Sequence, residues 1–275
     1  MKEFIGSILL ILFMLWAVTL LLVNGWIHSF KKKVAIFIAV TVCTLLPLAY
    51  LGNAYTLYVA YFGTPAEFSA LQADQLAAVL KQNPENDEVA LQYYSEVSHS
   101  QSGRLDEAQR QAIMSYWWRN QNPAYLNLLA VDAFQNQNYT MARDLWRVIK
   151  NIQNSMALTP IDLALTKVEP LINNENRTTT VYSVNLPKGD TSYTLYVAAR
   201  SALRPKIPAA VKKVTLTPNL NTYNLDLNVM QNMQGELVTL TGMSIVKYQF
   251  LSPDAKLGDT PIGEGYLLVQ GQDQG

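Results

Sequence analysis

The chain is poor in the residues that most often carry chemistry. Its 275 residues include one cysteine, Cys43, which stands in an apolar run. That excludes an internal disulfide framework and any Cys-x-x-Cys redox or metal pair. There are two histidines, His28 and His99, far apart and without ligand-spaced carboxylates, so no catalytic zinc or other metal is expected. Charged residues make up only 15% and the formal net charge is +0, which gives no broad electrostatic attraction to nucleic acid. No nucleophile elbow, phosphate-binding glycine loop or paired carboxylates in a supported strand or helix context occurs. Asp87–Glu88 and Asp106–Glu107 read as helix-start charges favoured by the helix dipole. The expectation is a protein that is not an enzyme, with no catalytic residue, metal or cofactor.

What the chain has instead is apolar sequence, at 49% hydrophobic residues. The run FIGSILLILFMLWAVTLLLVNGW (4–26) carries no charge and is long enough to cross a bilayer as a helix. A second run, VAIFIAVTVCTLLPLAYLGNAY, begins at Val34, with Pro47 placed to kink it. A cleaved signal peptide is the competing reading of the first run. Its length, the lack of a small-x-small site and the closeness of the second run weigh against that. Lys31, Lys32 and Lys33 lie between the runs and mark the turn as cytoplasmic. The expected topology is a two-span hairpin in a bacterial inner membrane, with both termini and the bulk of the chain periplasmic.

From about Glu67 to Leu171 the pattern becomes helical, punctuated by Asn-Pro and Gly. RLDEAQ (104–109) and NYTMARDLW (138–146) align when Ala108 is set on Ala142, 34 residues on, the period of the tetratricopeptide helix pair. In the second copy Leu126, Leu129, Ala130, Ala142 and Trp146 fall on the repeat's large and small packing positions. In the first, Ala108 fits but Glu96 stands where a small residue is needed. Flanking helices near Glu67–Leu80 and Pro160–Leu171 are expected to cap the pair; a chance four-helix bundle is the plainer alternative. Such repeats hold a guest on the first helix of each pair. On that geometry the groove candidates are Tyr93, Val97 and Gln101, then Asn127, Val131 and Phe134. Trp117 and Trp118 are adjacent and point to different sides of their helix, so at least one of them is expected to be partly exposed.

After Asn173 the polar stretch NNENRTTT ends the helical pattern. TVYSVNL, SYTLYVAA, VKKVTLT, NTYNLDL and MSIVKYQF alternate β-branched or aromatic residues with polar ones, and prolines fall between them. Met230 and Met233 are read as packing in a small β core, not as haem ligands. The fold class expected is an α+β membrane protein. Residues 1–61 form a transmembrane hairpin, 62–172 a tetratricopeptide-like helical domain, 173–180 a linker and 181–275 an all-β sandwich or barrel-like domain.

That order of parts, with several short motifs, resembles the CcmI/CycH family of apocytochrome c chaperones and its NrfG-like branch. GDTSYTLYVAAR is similar to the family's strand ending in Ala-Arg, PAAVKKVTL to its Pro-x-Ala-Val strand, and NLDLNVMQNM and LGDTPIGEG to two later segments. NPEND and GRLDEA resemble its repeat linker and helix start. The resemblance implies a membrane-anchored periplasmic chaperone of c-type cytochrome maturation. It would hold the C-terminal helix of apocytochrome c and present it to haem-ligase subunits. A tethered scaffold for another envelope complex is the alternative.

Overall fold

The computed structural model describes residues 71–153, 159–172, 182–187, 192–206, 208–217, 221–227, 230–256 and 258–271. The chain divides into two compact units, Met1–Asn86 and Asp87–Gly275. In the first, one described helix, α1 (Ala73–Gln82), buries Leu76 and Val79 and starts with a box in which the Gln72 amide N–H donates to Gln75 Oε1.

The second unit opens with four helices in two hairpins: α2 (Asp87–Ser100) with α3 (Glu107–Asn120), and α4 (Pro123–Gln135) with α5 (Tyr139–Gln153). A fifth, α6 (Pro160–Ile172), packs on α5. Local chemistry sets each start. Asp106 accepts from the Gln109 amide at 2.8 Å while Gln109 Oε1 accepts from the Asp106 amide, a reciprocal cap. Asn122 caps α4, whose first residue is Pro123, and Asn138 Oδ1 accepts from the Met141 amide at the start of α5. Asp162 accepts from both the amide and the hydroxyl of Thr159 and pairs with Lys150 of α5 at 2.6 Å. The Lys150 ammonium and then the Thr159 donors hold its carboxyl at about 2. A depressed folded pKa means this contribution is intact above pH 3.8 and is lost as pH falls towards 2. Limited proteolysis across that window should show the α5–α6 contact opening first, and Asp162→Asn should remove the pH dependence.

The first helices of the two hairpins end in the same way. Ser102 and Gln137 take left-handed backbone (φ 55 and 62), and the next amides, of Gly103 and Asn138, reach back to the carbonyls of Ser98 and Ala133. Gly103 is left-handed too (φ +84), and a Cβ there would lie 2.7 Å from Val131 Cγ1 and 2.9 Å from Gln135 Cγ. Gly103→Ala is therefore expected to cost about 1–3 kcal/mol, measurable by urea denaturation.

The turns fix a register that differs from the expected one. Val97 corresponds to Asp132 and Ser98 to Ala133, while the N-caps pair Asp106 with Asn138. The loop 101–106 is longer than its counterpart 136–138, so no single period fits both helices of the pair. Ala142 is consequently matched by Arg110, and Ala108, expected as a close-contact residue, is exposed. In this register Ile113 and Leu145, Met114 and Trp146, and Trp117 and Ile149 are matched, and all six are buried. In the first helices Ser95 stands opposite Ala130, so the small position missing at Glu96 is present one residue earlier.

The C-terminal region is a six-stranded antiparallel sheet ordered β6-β5-β3-β2-β7-β8, with a two-stranded β1–β4 ladder. Its long strands are β2 (Tyr193–Ser201), β3 (Ala210–Leu216), β7 (Met243–Leu251) and β8 (Gly263–Gln270). The short ones are β1 (Ser183–Asn185), β4 (Thr222–Asn224), β5 (Met230–Gln231) and β6 (Leu237–Val238). Alternation decides the faces. Leu195, Val197, Ala199, Val246, Phe250 and Val269 point into one core, joined there by Val184, Leu225 and Leu227 from the segments around the ladder. This replaces the expected sandwich or barrel: one large sheet has a small ladder on one face, and the helices meet it elsewhere. Contact runs between α3 and β8 and between α5 and β7.

Strand β8 was not foreseen. Its start carries Gly263 and Gly265, which break the alternation, and Gly265 is needed because the Tyr248 ring occupies the place of a Cβ. Met230 is buried, whereas Met233, expected in the core, is 67% exposed.

The expected membrane character is corrected. Among the described residues no helix is long and apolar enough to cross a membrane. The two-span hairpin and the inner-membrane placement with a periplasmic bulk are therefore not carried further. The runs on which they rested, with Lys31, Lys32 and Lys33, lie outside the described residues, as does the whole of the linker 173–180.

Candidate functional site

Two surfaces of the Asp87–Gly275 unit set partly exposed side chains over packed ones. The first is the outward face of the hairpins' first helices. Here the register moves the candidates. Val97 is buried, Tyr93 is half-buried with its ring edge-on to Tyr94 at 5.0 Å, and Gln101 is exposed in the turn. The residues matching Asn127, Val131 and Phe134 are instead Gln92, Glu96 and His99, of which Glu96 and His99 are exposed. Asn127 accepts from Trp146 Nε1 at 3.0 Å, and Phe134 lies 5.9 Å from the Trp146 ring and 5.6 Å from Tyr139. Trp146 thus positions the second hairpin's half of this face from behind. Leu126, Leu129, Ala130 and Ala142 are buried beneath it.

The helices are tied together by polar knots. Asp87 accepts from Asn120 Nδ2 and from the Tyr125 hydroxyl, both at 2.6 Å, which joins the start of α2 to α3 and α4. Burial and then the Asp87 hydrogen bond push the Tyr125 hydroxyl far above the usual tyrosine range, so it remains a donor. Asp132, buried on α4, accepts from the Leu105 amide (2.8 Å), Asn136 Nδ2 (2.9 Å) and Arg110 Nη1 (3.3 Å).

The second surface lies where the hairpins meet the sheet. Gln111 of α3 pairs its side-chain amide with the backbone of Tyr266, accepting from its N–H at 2.7 Å and donating to its carbonyl at 2.8 Å. It acts as a one-residue mimic of a neighbouring strand and blunts the outer edge of β8. Gln111→Glu keeps the acceptor but sets a carboxylate against the Tyr266 carbonyl. It should destabilise by about 1–2 kcal/mol in a thermal melt, as much as or more than Gln111→Ala.

Next to this clamp Trp118 and Arg200 meet. The guanidinium lies 4.3 Å above the indole and its Nη1 donates to the Trp118 carbonyl at 2.8 Å. Trp118 also sits 6.1 Å from the Tyr266 ring. Burial lowers the Arg200 pKa, yet a guanidinium stays charged. From this contact a cleft of about 540 Å³ opens along the sheet face opposite the β core. Tyr196, Ala198 and Val211 form its floor, with Lys213 5.3 Å from the Tyr196 ring. Lys247 at its edge pairs with Glu264 at 2.9 Å. Burial opposes the Glu264 charge, and the bonds from Lys247 and Gln249 outweigh it, lowering its pKa.

Among the described residues no group of three or more His, Cys, Asp or Glu side chains could hold a metal ion. The Trp117–Trp118 pair was legible, since Trp117 is buried and Trp118 half-buried in the cleft. Arg200 stood out only within a family-like strand motif, and Lys212–Lys213 only as strand residues. Comparison with protein-family models, curated proteins and solved structures gives no match for this chain.

Proposed function

We propose that this chain is a non-catalytic polypeptide-binding module that holds a client segment on the face carrying Gln92, Glu96, His99, Asn127, Val131 and Phe134. The observation that carries the reading is the corrected register. It puts Glu96 and His99, which are exposed, on one face with Gln92, Asn127, Val131 and Phe134, which are half-buried, over buried Leu126, Leu129 and Ala130, with Asn127 held by Trp146. An amphipathic helix laid on such a face gains apolar burial without ordering the receptor. The resemblance in the sequence supplies the client class: the C-terminal helix of an unfolded c-type apocytochrome, held for subunits that attach haem.

The test is fluorescence anisotropy of a labelled apocytochrome C-terminal segment with the full chain, against folded holocytochrome. Binding of the unfolded segment alone is the expected result. Val131→Glu, which sets a charge in the middle of the face, should weaken it about tenfold or more. Equal binding of a scrambled segment would leave the chain a scaffold for some other assembly.

A further inference from the structure

The cleft beside Trp118 is separate from the repeat face, and its chemistry is different. Its lining includes the side chains of Arg200, Lys213 and Lys247 and no acidic side chain, in a chain whose formal net charge is +0, whereas Lys212, paired with Val197, turns to the other face of the sheet. Lys247 is matched by Glu264, and Lys212 donates to the Asp226 carbonyl at 2.7 Å. Among the described residues Arg200 and Lys213 have no carboxylate within ion-pair distance, and each stacks on an aromatic ring instead.

Arg200, at the wall of the cleft, carries an unmet donor. Its Nη1 is committed to the Trp118 carbonyl, but Nε is buried and without a hydrogen-bond partner. A buried donor left unmade is costly, and in a native fold it calls for a partner. Nε and Nη2 share the long edge of the guanidinium, the edge that takes a carboxylate through two parallel hydrogen bonds. The rings of Tyr196 and Trp118 and the exposed Met233 add apolar lining beside it.

We propose that this cleft binds an acidic segment of a partner polypeptide, with one carboxylate seated on the Arg200 edge and further acidic residues facing Lys213. Apolar residues alternating with the acidic ones would lie against Trp118, Tyr196 and Met233, because an extended chain turns successive side chains to opposite sides. A bare small anion would leave that apolar lining unused, and nucleic acid would need a wider cationic field than one cleft supplies.

The experiment uses the full chain and a fluorescein-labelled peptide alternating Glu and Leu, read by anisotropy. The competitors are the same peptide with Gln in place of Glu, and inorganic phosphate. The Glu peptide should bind and weaken with added salt, and the Gln peptide should bind about tenfold more weakly or worse. Lys213→Glu, at an exposed position that leaves the helix–sheet contact intact, should weaken the Glu peptide by about tenfold. Arg200→Lys, which keeps the charge but loses the two-pronged edge, should also weaken it. Neither variant should change binding of the apocytochrome segment, so this proposal and the repeat-face reading fail separately. Equal binding of the Gln peptide, full displacement by phosphate, or an unaffected Lys213→Glu variant would overturn it. So would a Lys213→Glu variant that loses both ligands together.

Discussion

Replacing Trp117 with alanine is expected to lower the stability of the Asp87–Gly275 unit by about 3–5 kcal/mol, the largest effect of any single truncation considered. The side chain is only 1% exposed and is among the largest that are fully buried. It sits on α3, the helix that meets α2, α4 and β8, so the cavity would open in the element common to both hairpins and the sheet. A side chain this large and fully buried leaves a site that cannot easily collapse, which places the cost high in the usual range. Trp118→Ala is the informative partner. Its ring is half-buried against Arg200 and Tyr266, so it should cost clearly less while disturbing the cleft. Urea denaturation of both variants separates the two roles: a large loss for Trp117 and a small one for Trp118.

The second large effect is expected at Asp132. Asp132→Ala should cost about 3–4 kcal/mol, because it leaves the buried Leu105 amide without its acceptor and deprives Arg110 of a buried carboxylate. Arg110 is a third exposed and keeps Glu107 and the Leu105 carbonyl, which moderates the loss on its side. Asp132→Asn retains an oxygen for the Leu105 amide and should recover more than half of the loss. Equal destabilisation by both substitutions would mean that the charge, not the acceptor, matters at this position. Since Leu105 immediately precedes the reciprocal cap of α3, amide hydrogen exchange should show the first turn of that helix opening earliest.

The helical half of the fold was legible because its punctuation is local. Asp106 with Gln109, Asn122 with Pro123, and Asn138 each announce a helix start within a few residues. The register was not, because it is the sum of two turns of unequal length. Aligning Ala108 with Ala142 forced one period through both, and so put Tyr93 and Val97 on the face that Gln92 and Glu96 occupy. The β strands with clean alternation were readable, but β8 was hidden by glycines whose purpose, making room for Tyr248, lies on another strand. The cleft was the least visible feature. Trp118, Arg200 and Lys213 are far apart in sequence and become one site only when α3 docks beside the sheet. The apolar runs near the N-terminus gave a strong pattern, yet no described helix carries that character.

The central claim, that the first helices of the two hairpins present one binding face, is tested most directly by mapping amide chemical shifts. The ¹⁵N-labelled full chain would be titrated with the C-terminal segment of an unfolded apocytochrome. The account predicts saturable changes concentrated at Gln92, Glu96, His99, Asn127 and Val131, with Val97 and Leu129 moving less. Changes confined to the sheet, or none at all at saturating peptide, would contradict it.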